Sequence, residues 1–405
     1  MSGINDMRCP FPPNGKYLDA IRSSSKALRL ISNVKIESEP IQRLITSPAF
    51  TSSFKRVSAV HGLALPLNFP STASELNLIS ILSLLNFGSG FRVPLHQATG
   101  RGAWDNIRAL VFSMYLMSST DDEGDLLSAR GLKAVGTQKV AELMRVSVHV
   151  EKPHESIPGV TVGTLGGPMY DLVQLITNTL NETGRVLVDT GYPDLGSFVI
   201  EALKEGAKAG ATPDAEVDTI LDRLVRAIPG FRDMGIVDSQ PIYCFKKALF
   251  LIHAIKVRFG TQSSAPFPIP STAHLPVFTD NVLPSMLIHL GVIDLSESAL
   301  SSIFPNVAEN LPSLLEEAPS DKNPPSPSEG PILSVEQAYV LRASAIDACE
   351  MIIAEARASV PSKEGVEWIK DITLPELDMW IWGVAKDRSD YRQLERFVLR
   401  ETIFF

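Results

Sequence analysis

Two short stretches of the chain place charged residues where they could do chemistry. Asp280 lies between an apolar stretch that ends at Phe278 and a predicted helix that begins at Asn281. An aspartate at such a place either caps the helix or holds its carboxylate at the helix start, aimed into a cavity. Lys246 and Lys247 interrupt an apolar helix, where consecutive side chains point about 100° apart. Either both lysines are solvated, or one faces inward and meets an anion such as a phosphate.

A third stretch pairs an acid with indole rings. Asp378 precedes Trp382 by four residues, so both side chains lie on one face of a predicted helix. A carboxylate beside an indole suits a flat, cationic heterocycle. The alternative is that Trp380 and Trp382 both pack in the core while Asp378 is solvated.

Several common catalytic and metal-binding motifs are missing from the sequence. It contains no GxSxG, HExxH, Walker A or EF-hand pattern, and its seven histidines show no metal spacing. Cys9, Cys244 and Cys349 form no CxxC pair, which favours reduced core thiols. The glycine-rich stretches 88–90 and 163–167 do not join a clear strand to a helix, so we interpret them as turns.

The elements that must position these residues are predicted to be mostly helices. Only the stretch 148–168 has strand character, and strands do not alternate with helices. Gly184 is predicted to end one helix as a C-cap, and Ser334 with Gln337 to open another as a capping box. The predicted helices cover residues 17–33, 41–45, 75–87, 103–119, 126–146 (a pair), 170–183, 197–205, 214–228, 242–259, 281–291, 335–358, 374–384 and 391–402.

Composition limits the function classes. The 405 residues are 44% apolar and 20% charged, which is enough apolar material for a large core. The net charge of −9 argues against a protein that follows a nucleic-acid backbone. No apolar stretch reaches the ~18–20 residues that cross a bilayer, so we expect no membrane contact. No signal peptide is recognised, and we expect a cytoplasmic location, with access to the nucleus also open.

The predicted organisation is one large domain with two irregular parts. Residues 1–15 form a flexible N-terminal arm, and residues 16–405 form a single helical domain. Within it, the stretch 319–331 holds five prolines in thirteen residues and is predicted to be a disordered insertion.

Read together, segments in order along most of the chain resemble the queuosine salvage protein family, the queuosine 5′-phosphate N-glycosylases. Each segment is short, but their order and spacing carry the resemblance. They are Leu76-Asn77 through Asn86-Phe87, Leu180-Asn181-Glu182-Thr183-Gly184, Pro229-Gly230-Phe231-Arg232-Asp233, Phe245-Lys246-Lys247-Ala248, Phe278-Thr279-Asp280 with Leu283-Pro284, His289-Leu290-Gly291, the Arg342 helix, Asp378 to Trp382 and Ile403-Phe404-Phe405.

The resemblance implies a mainly α fold similar to DNA glycosylases, with few short strands and no cofactor or metal. It implies hydrolysis of the N-glycosidic bond of queuosine 5′-phosphate, a small-molecule substrate, with release of queuine for tRNA modification and no direct contact with nucleic acid. Asp280 matches the family's catalytic aspartate. Lys246 is then expected to bind the 5′-phosphate or to act on Asp280. Asp378 and Trp382 are expected to hold the base, and Asn86 and Phe87 to form another pocket wall.

The chain also departs from the family pattern. Asn281 and Val282 stand where an aromatic residue and an arginine are expected, and Gly383 replaces an acid. Tyr339 and Val340 stand where the family has acids. A divergent enzyme, a paralogue with an altered substrate, and a non-catalytic protein that binds a nucleobase or acts as a scaffold are therefore all open. The oligomeric state is open as well.

Overall fold

The structure, a computed structural model, is mainly helical. It describes residues 9–59, 63, 65–118, 124–210, 212–262, 265–305, 307–319, 326–359 and 366–405. About 60% of the described residues are helical, and the described strands form two small two-stranded sheets. The predicted fold class is confirmed.

The elements follow one another in chain order as seventeen described helices and four described strands. Short 3-10 turns at Ser89–Phe91, Pro229–Phe231 and Glu367–Asp371 connect some of them. The helices and strands are α1 (Tyr17–Ile31), α2 (Ser38–Ile45), α3 (Pro48–Ser58), α4 (Thr72–Leu84), α5 (Arg92–Thr99), α6 (Ala103–Ser118), α7 (Ala129–Ala134), α8 (Thr137–Met144), β1 (His149–Pro153), β2 (Thr161–Leu165), α9 (Pro168–Thr190), α10 (Leu195–Ala209), α11 (Pro213–Ala227), β3 (Met234–Val237), β4 (Gln240–Tyr243), α12 (Lys246–Phe259), α13 (Val282–His289), α14 (Val307–Leu314), α15 (Val335–Ser359), α16 (Leu374–Asp387) and α17 (Ser389–Gln393).

The core is built around helices that are apolar on every side. From Glu75 to Leu84 every residue of α4 is buried, and this helix packs against α6, α10 and α12. Helix α13 is buried over its whole length and packs against α14, α15 and α16. A helix that is hydrophobic all round needs neighbours on all sides, so these two helices fix the centre of the molecule.

Local sequence signals explain several helix starts. The amide of Gln337 donates to Ser334 Oγ at 3.2 Å and the amide of Ser334 donates to Gln337 Oε1 at 3.0 Å, so the predicted capping box is confirmed. Thr373 and Glu376 form a second capping box at α16. Such reciprocal bonds satisfy amides that a helix start leaves unpaired.

Two predicted helix ends are wrong. Helix α9 continues through Gly184 and ends at Thr190. Gly191, with a φ of 83°, is its C-cap. A Cβ on Gly184 would lie 2.2 Å from the amide nitrogen of Lys133, so this glycine permits close contact with α7. Of the predicted helix 391–402, only the start is helical, in α17; Val398 instead forms a parallel bridge with Ile332.

The irregular parts contact the body where they are described. In the predicted arm, Cys9 is buried and its Sγ contacts the carbonyl of Gly235 at 3.0 Å, while residues 1–8 lie outside the described residues. In the predicted insertion, residues 320–325 lie outside the described residues, and Ser328 Oγ donates to the Gln393 carbonyl at 2.9 Å. The division into domains stays a prediction.

No single helix in the described part of the chain is long and apolar enough to cross a membrane. Thr72–Leu84 and Ser89–Thr99, bent by 66°, pass that test only as a pair and only by length and composition.

Candidate functional site

The predicted site residues line two cavities that share part of their walls. The main cavity, of about 220 Å³, is lined by Asn86, Phe87, Lys246, Asp280 and Trp382 together with other residues. A smaller inner cavity of about 30 Å³ shares four of these five, all except Phe87, and adds Asp378 with the rings of Phe250 and Phe278. The end of α4, helix α12, the start of α13 and helix α16 thereby bring together residues from distant parts of the sequence.

Asp280 is held at the start of α13 and faces the cavities. Its Oδ1 accepts a hydrogen bond from the Val282 amide at 2.6 Å, and only 6% of the residue is exposed. No hydrogen bond to its Oδ2 is found among the described residues. The two interpretations of the sequence, a cap-like bond and a carboxylate aimed into a cavity, therefore apply to different oxygens of the same side chain.

Both lysines of α12 are buried, so the expectation of at least one solvated lysine is wrong. Lys246 Nζ donates to Asn86 O at 2.6 Å and to Asn86 Oδ1 at 3.1 Å, and Lys247 Nζ donates to Leu84 O at 2.7 Å. These carbonyls lie at and just beyond the end of α4, where a helix leaves them without internal partners. Burial lowers the pKa of Lys246 to about 8, against the attraction of Asp280. Burial lowers the pKa of Lys247 well below its ordinary value.

Asp378 is also buried, so the alternative of a solvated acid is wrong. Its Oδ2 accepts the Phe278 amide at 2.6 Å. Burial raises the pKa of Asp378 to about 8, despite that hydrogen bond and the nearby charge of Lys246. At neutral pH the carboxyl group is therefore largely protonated, and it can donate a hydrogen bond to a base.

The two indoles of α16 have different surroundings. Trp380 is fully buried, donates from Nε1 to Ser53 Oγ at 2.8 Å and packs on Phe50. Trp382 lines both cavities, and the Lys386 ammonium lies 3.2 Å from the centre of its ring. Only Trp382 is placed to contact a ligand, because the two positions point to different sides of the helix.

Asn86 and Phe87 form the wall after α4. Asn86 lines both cavities and fixes Lys246 through its own oxygen atoms. Phe87 is buried, lines the main cavity and lies under the Lys247 ammonium at 5.0 Å. The second lysine thus supports the wall that Phe87 provides.

A buried ion pair behind the site was not predicted as part of it. Arg342 donates to both carboxylate oxygens of Asp233, at 2.9 and 2.5 Å, and to Thr279 O at 3.0 Å. The Oδ2 of Asp233 also accepts the Lys246 amide at 3.1 Å. The pair therefore joins the start of α12 to the residue before Asp280. The turn ending at Asp233 and the Arg342 helix were visible in the sequence only as segments of the resemblance.

Phe245 occupies a constrained position at this junction. It adopts a left-handed backbone with φ 46°, and both its amide and that of Cys244 donate to Asp233 O. Left-handed backbone is unfavourable for a bulky side chain and persists where the surroundings hold it. The contacts to Asp233 supply that support and direct Lys246 toward the cavity.

The described residues offer no metal centre: no group of three or more His, Cys, Asp or Glu side chains among them could hold a metal ion. The polar groups that line the site include carboxyl, ammonium, guanidinium, amide, hydroxyl and imidazole groups beside an aromatic wall. Together, fold and site define a mainly helical protein with a cavity lined by buried acids and lysines.

Comparison with protein families finds a match to one part of the chain. A family model described as queuosine salvage protein matches residues 167–310, about a third of the chain. The match confirms the predicted resemblance over that part, which includes Lys246 and Asp280, and it supports a role in queuosine salvage. No significant match was found among curated proteins.

Proposed function

We propose that the protein hydrolyses the N-glycosidic bond of queuosine 5′-phosphate and releases queuine. The observation that carries the proposal is the convergence of Asp280, Lys246, Asp378 and Trp382 on one inner cavity. The queuosine salvage match and the small size of the cavity favour a free nucleotide over a polymer.

Asp280 has the central role in this proposal. As the bond between the ribose carbon and the base nitrogen breaks, its electron pair leaves with the base and positive charge develops on the sugar. The free Oδ2 of Asp280 stabilises that charge or attacks the carbon, and water completes the hydrolysis. Lys246, held by Asn86, attracts Asp280 and keeps positive charge beside it.

Asp378 and Trp382 act on the base in this proposal. The base stacks on the indole of Trp382, and protonated Asp378 donates a hydrogen bond to the departing ring. Because the pKa of Asp378 is raised to about 8, the proton is present at neutral pH. A leaving base that accepts this hydrogen bond carries less negative charge as the bond breaks.

The test is release of queuine from queuosine 5′-phosphate, measured by mass spectrometry. We expect Asp280→Asn to lower the rate by about 10²–10³. The asparagine keeps an oxygen that can accept the Val282 amide, so folding is preserved. Asp19→Asn, at an exposed aspartate, is the matched control. No release by the wild type, or equal release by Asp280→Asn, overturns the proposal.

A second candidate function, binding of the nucleobase without turnover, is favoured by position 383. A Cβ on Gly383 would lie 2.5 Å from Val57 Cγ1, so packing on α3 leaves no room there for the acid of the family pattern. Tight binding of queuine with no release from the nucleotide would support this candidate, and measurable turnover would exclude it.

A further inference from the structure

The main cavity has a basic wall that the proposed chemistry does not use. The wall consists of Arg92 at the start of α5, Lys386 near the end of α16, and Arg392 and Arg396 in the C-terminal segment. The described acids that line the same cavity are Asp105 and Asp280. Cations therefore outnumber acids around this space.

These cations destabilise one another in the absence of an anion. Burial, and then the charge of Arg92, lower the pKa of Arg396 to about 9. Burial and the charge of Arg392 lower the pKa of Arg92 to about 10. Burial lowers the pKa of Lys386 to about 7, although Asp105 opposes this. A bound anion would favour the charged forms of these groups and so offset both the cost of burying them and their mutual repulsion.

Three buried donors on this wall have no hydrogen-bond partner within the described part of the chain. They are Ser89 Oγ, Arg92 Nη1 and Arg396 Nε. The other arm of each guanidinium is fixed, Arg92 Nη2 on Arg392 O and Arg396 Nη2 on Ala385 O. Arg396 is 93% buried at a relative exposure of 7%. Buried donors are normally satisfied, so these three require a ligand acceptor or water.

The glycine turn after α4 brings the three donors together. Gly88 has a φ of 94°, and a Cβ on Gly90 would lie 2.4 Å from Leu399 O, so the turn is pressed against the C-terminal segment. As a result Ser89, Arg92 and Arg396 line not only the main cavity but also a side cavity of about 10 Å³. The sequence alone identified this stretch only as a turn.

We propose that Ser89, Arg92 and Arg396, assisted by Lys386, form a subsite for a phosphate monoester, the 5′-phosphate of the substrate. A phosphate dianion presents three terminal oxygens to the three free donors and is a strong acceptor for guanidinium groups. Lys246 already donates hydrogen bonds to Asn86, so we assign the phosphate contact to the basic wall and not to that lysine.

This arrangement orients the nucleotide and rests on the proposed function. Asp378 lines the inner cavity, the basic wall lines the main cavity, and Asp280 lines both. With the base toward Asp378 and the phosphate on the basic wall, the ribose lies between them, beside Asp280.

The first test compares queuosine 5′-phosphate with queuosine, the nucleoside that lacks the phosphate. We expect Arg396→Gln to reduce the ratio of kcat/KM for nucleotide over nucleoside about 10–100-fold, the effect of losing one charge-assisted hydrogen bond. Ser89→Ala, which removes an unpaired hydroxyl and preserves the fold, should reduce the ratio by a smaller factor. Arg357→Gln, at an exposed arginine of α15, should leave the ratio unchanged. An unchanged ratio in both cavity variants overturns the subsite.

The second test does not depend on turnover. Binding of ribose 5-phosphate and of ribose to the wild type and to Arg396→Gln is measured by titration calorimetry. We expect the wild type to bind the phosphate sugar at least 10-fold more tightly than ribose, and Arg396→Gln to lose that preference. If this holds while no queuine is released, the subsite stands and the proposed hydrolysis fails. Equal binding of both sugars by the wild type overturns the subsite whatever the activity.

Discussion

The buried pair of Asp233 and Arg342 gives the sharpest prediction about how the site is held. Their side chains are 0% and 1% exposed, and Arg342 donates to both oxygens of Asp233. The same two residues contact the Lys246 amide and the carbonyl of Thr279. Replacing Asp233 by asparagine would leave the Arg342 charge buried without a counter-charge.

The free-energy cost expected for Asp233→Asn is a large fraction of the stability of a typical domain. Removing one partner of a buried ion pair costs about 3–5 kcal/mol, against a total of roughly 5–15 kcal/mol for a folded protein. Burial acts against the charge of Arg342, and the charge of Asp233 raises the pKa of Arg342 above its ordinary value. A guanidinium is not deprotonated in proteins, so in the variant Arg342 keeps its charge but loses its counter-charge. By contrast, Asp387→Asn removes a partner of exposed Arg56, at a cost of about 0–1 kcal/mol.

The assay is urea unfolding of Asp233→Asn and Asp387→Asn, followed by a cycle with Asp233→Leu, Arg342→Leu and the double variant. The double variant should cost less than the sum of the single variants, because it leaves no unpaired charge. The reasoning fails if Asp233→Asn costs no more than Asp387→Asn, or if the two leucine substitutions are additive.

Three further predictions concern the site and its frame. Because Lys246 and Asp378 both lose a proton near a pKa of about 8, queuine release should fall as the pH rises above 8, and a flat rate between pH 7 and 10 would contradict this. Asp378→Asn tests the assignment of that fall in rate: the fall should disappear if it reflects loss of the Asp378 proton, and persist if it reflects loss of the Lys246 charge. Gly184→Ala should lower the free energy of unfolding, measured by urea denaturation, by about 1–3 kcal/mol, because overpacking against Lys133 outweighs the helix preference of alanine. A more stable variant would contradict this and show that α7 can move.

Most helices could be predicted from the sequence because their signals are local. The apolar pattern predicts the helix of Lys246 and the helix of Asp378, and the Ser334–Gln337 capping box is confirmed. The strand character of 148–168 corresponds to β1 and β2, which pair as an antiparallel hairpin. The order of short segments also indicated the family that matches residues 167–310.

The errors arise where a distant contact decides the outcome. Gly184 resembles a helix end by type, but its role is set by the backbone of α7. The sequence predicts that at least one of the two charged lysines of α12 faces solvent. Lys247 is instead buried, and its ammonium donates a hydrogen bond to the Leu84 carbonyl, 163 residues away in the sequence. The C-terminal segment has helical spacing, but Val398 forms a parallel bridge with Ile332, in which the Leu333 amide donates to the Val398 carbonyl. Local pattern carries no information about such partners.

The distribution of the site along the chain bears on which substrate the protein uses. Lys246 and Asp280 lie within the matched residues 167–310, whereas Ser89, Arg92 and Arg396 lie outside them. Of the groups proposed for bond cleavage, Asp280 and Lys246 are therefore carried by the matched segment, whereas Asp378 and the groups proposed for phosphate recognition come from elsewhere in this chain. If a different 5′-nucleotide proves to be the substrate, we expect its cleavage to depend on Asp280 and its preference over the nucleoside to depend on Arg396. A substrate that needs Asp280 but is indifferent to Arg396 would place the phosphate away from the basic wall and would separate the two proposals.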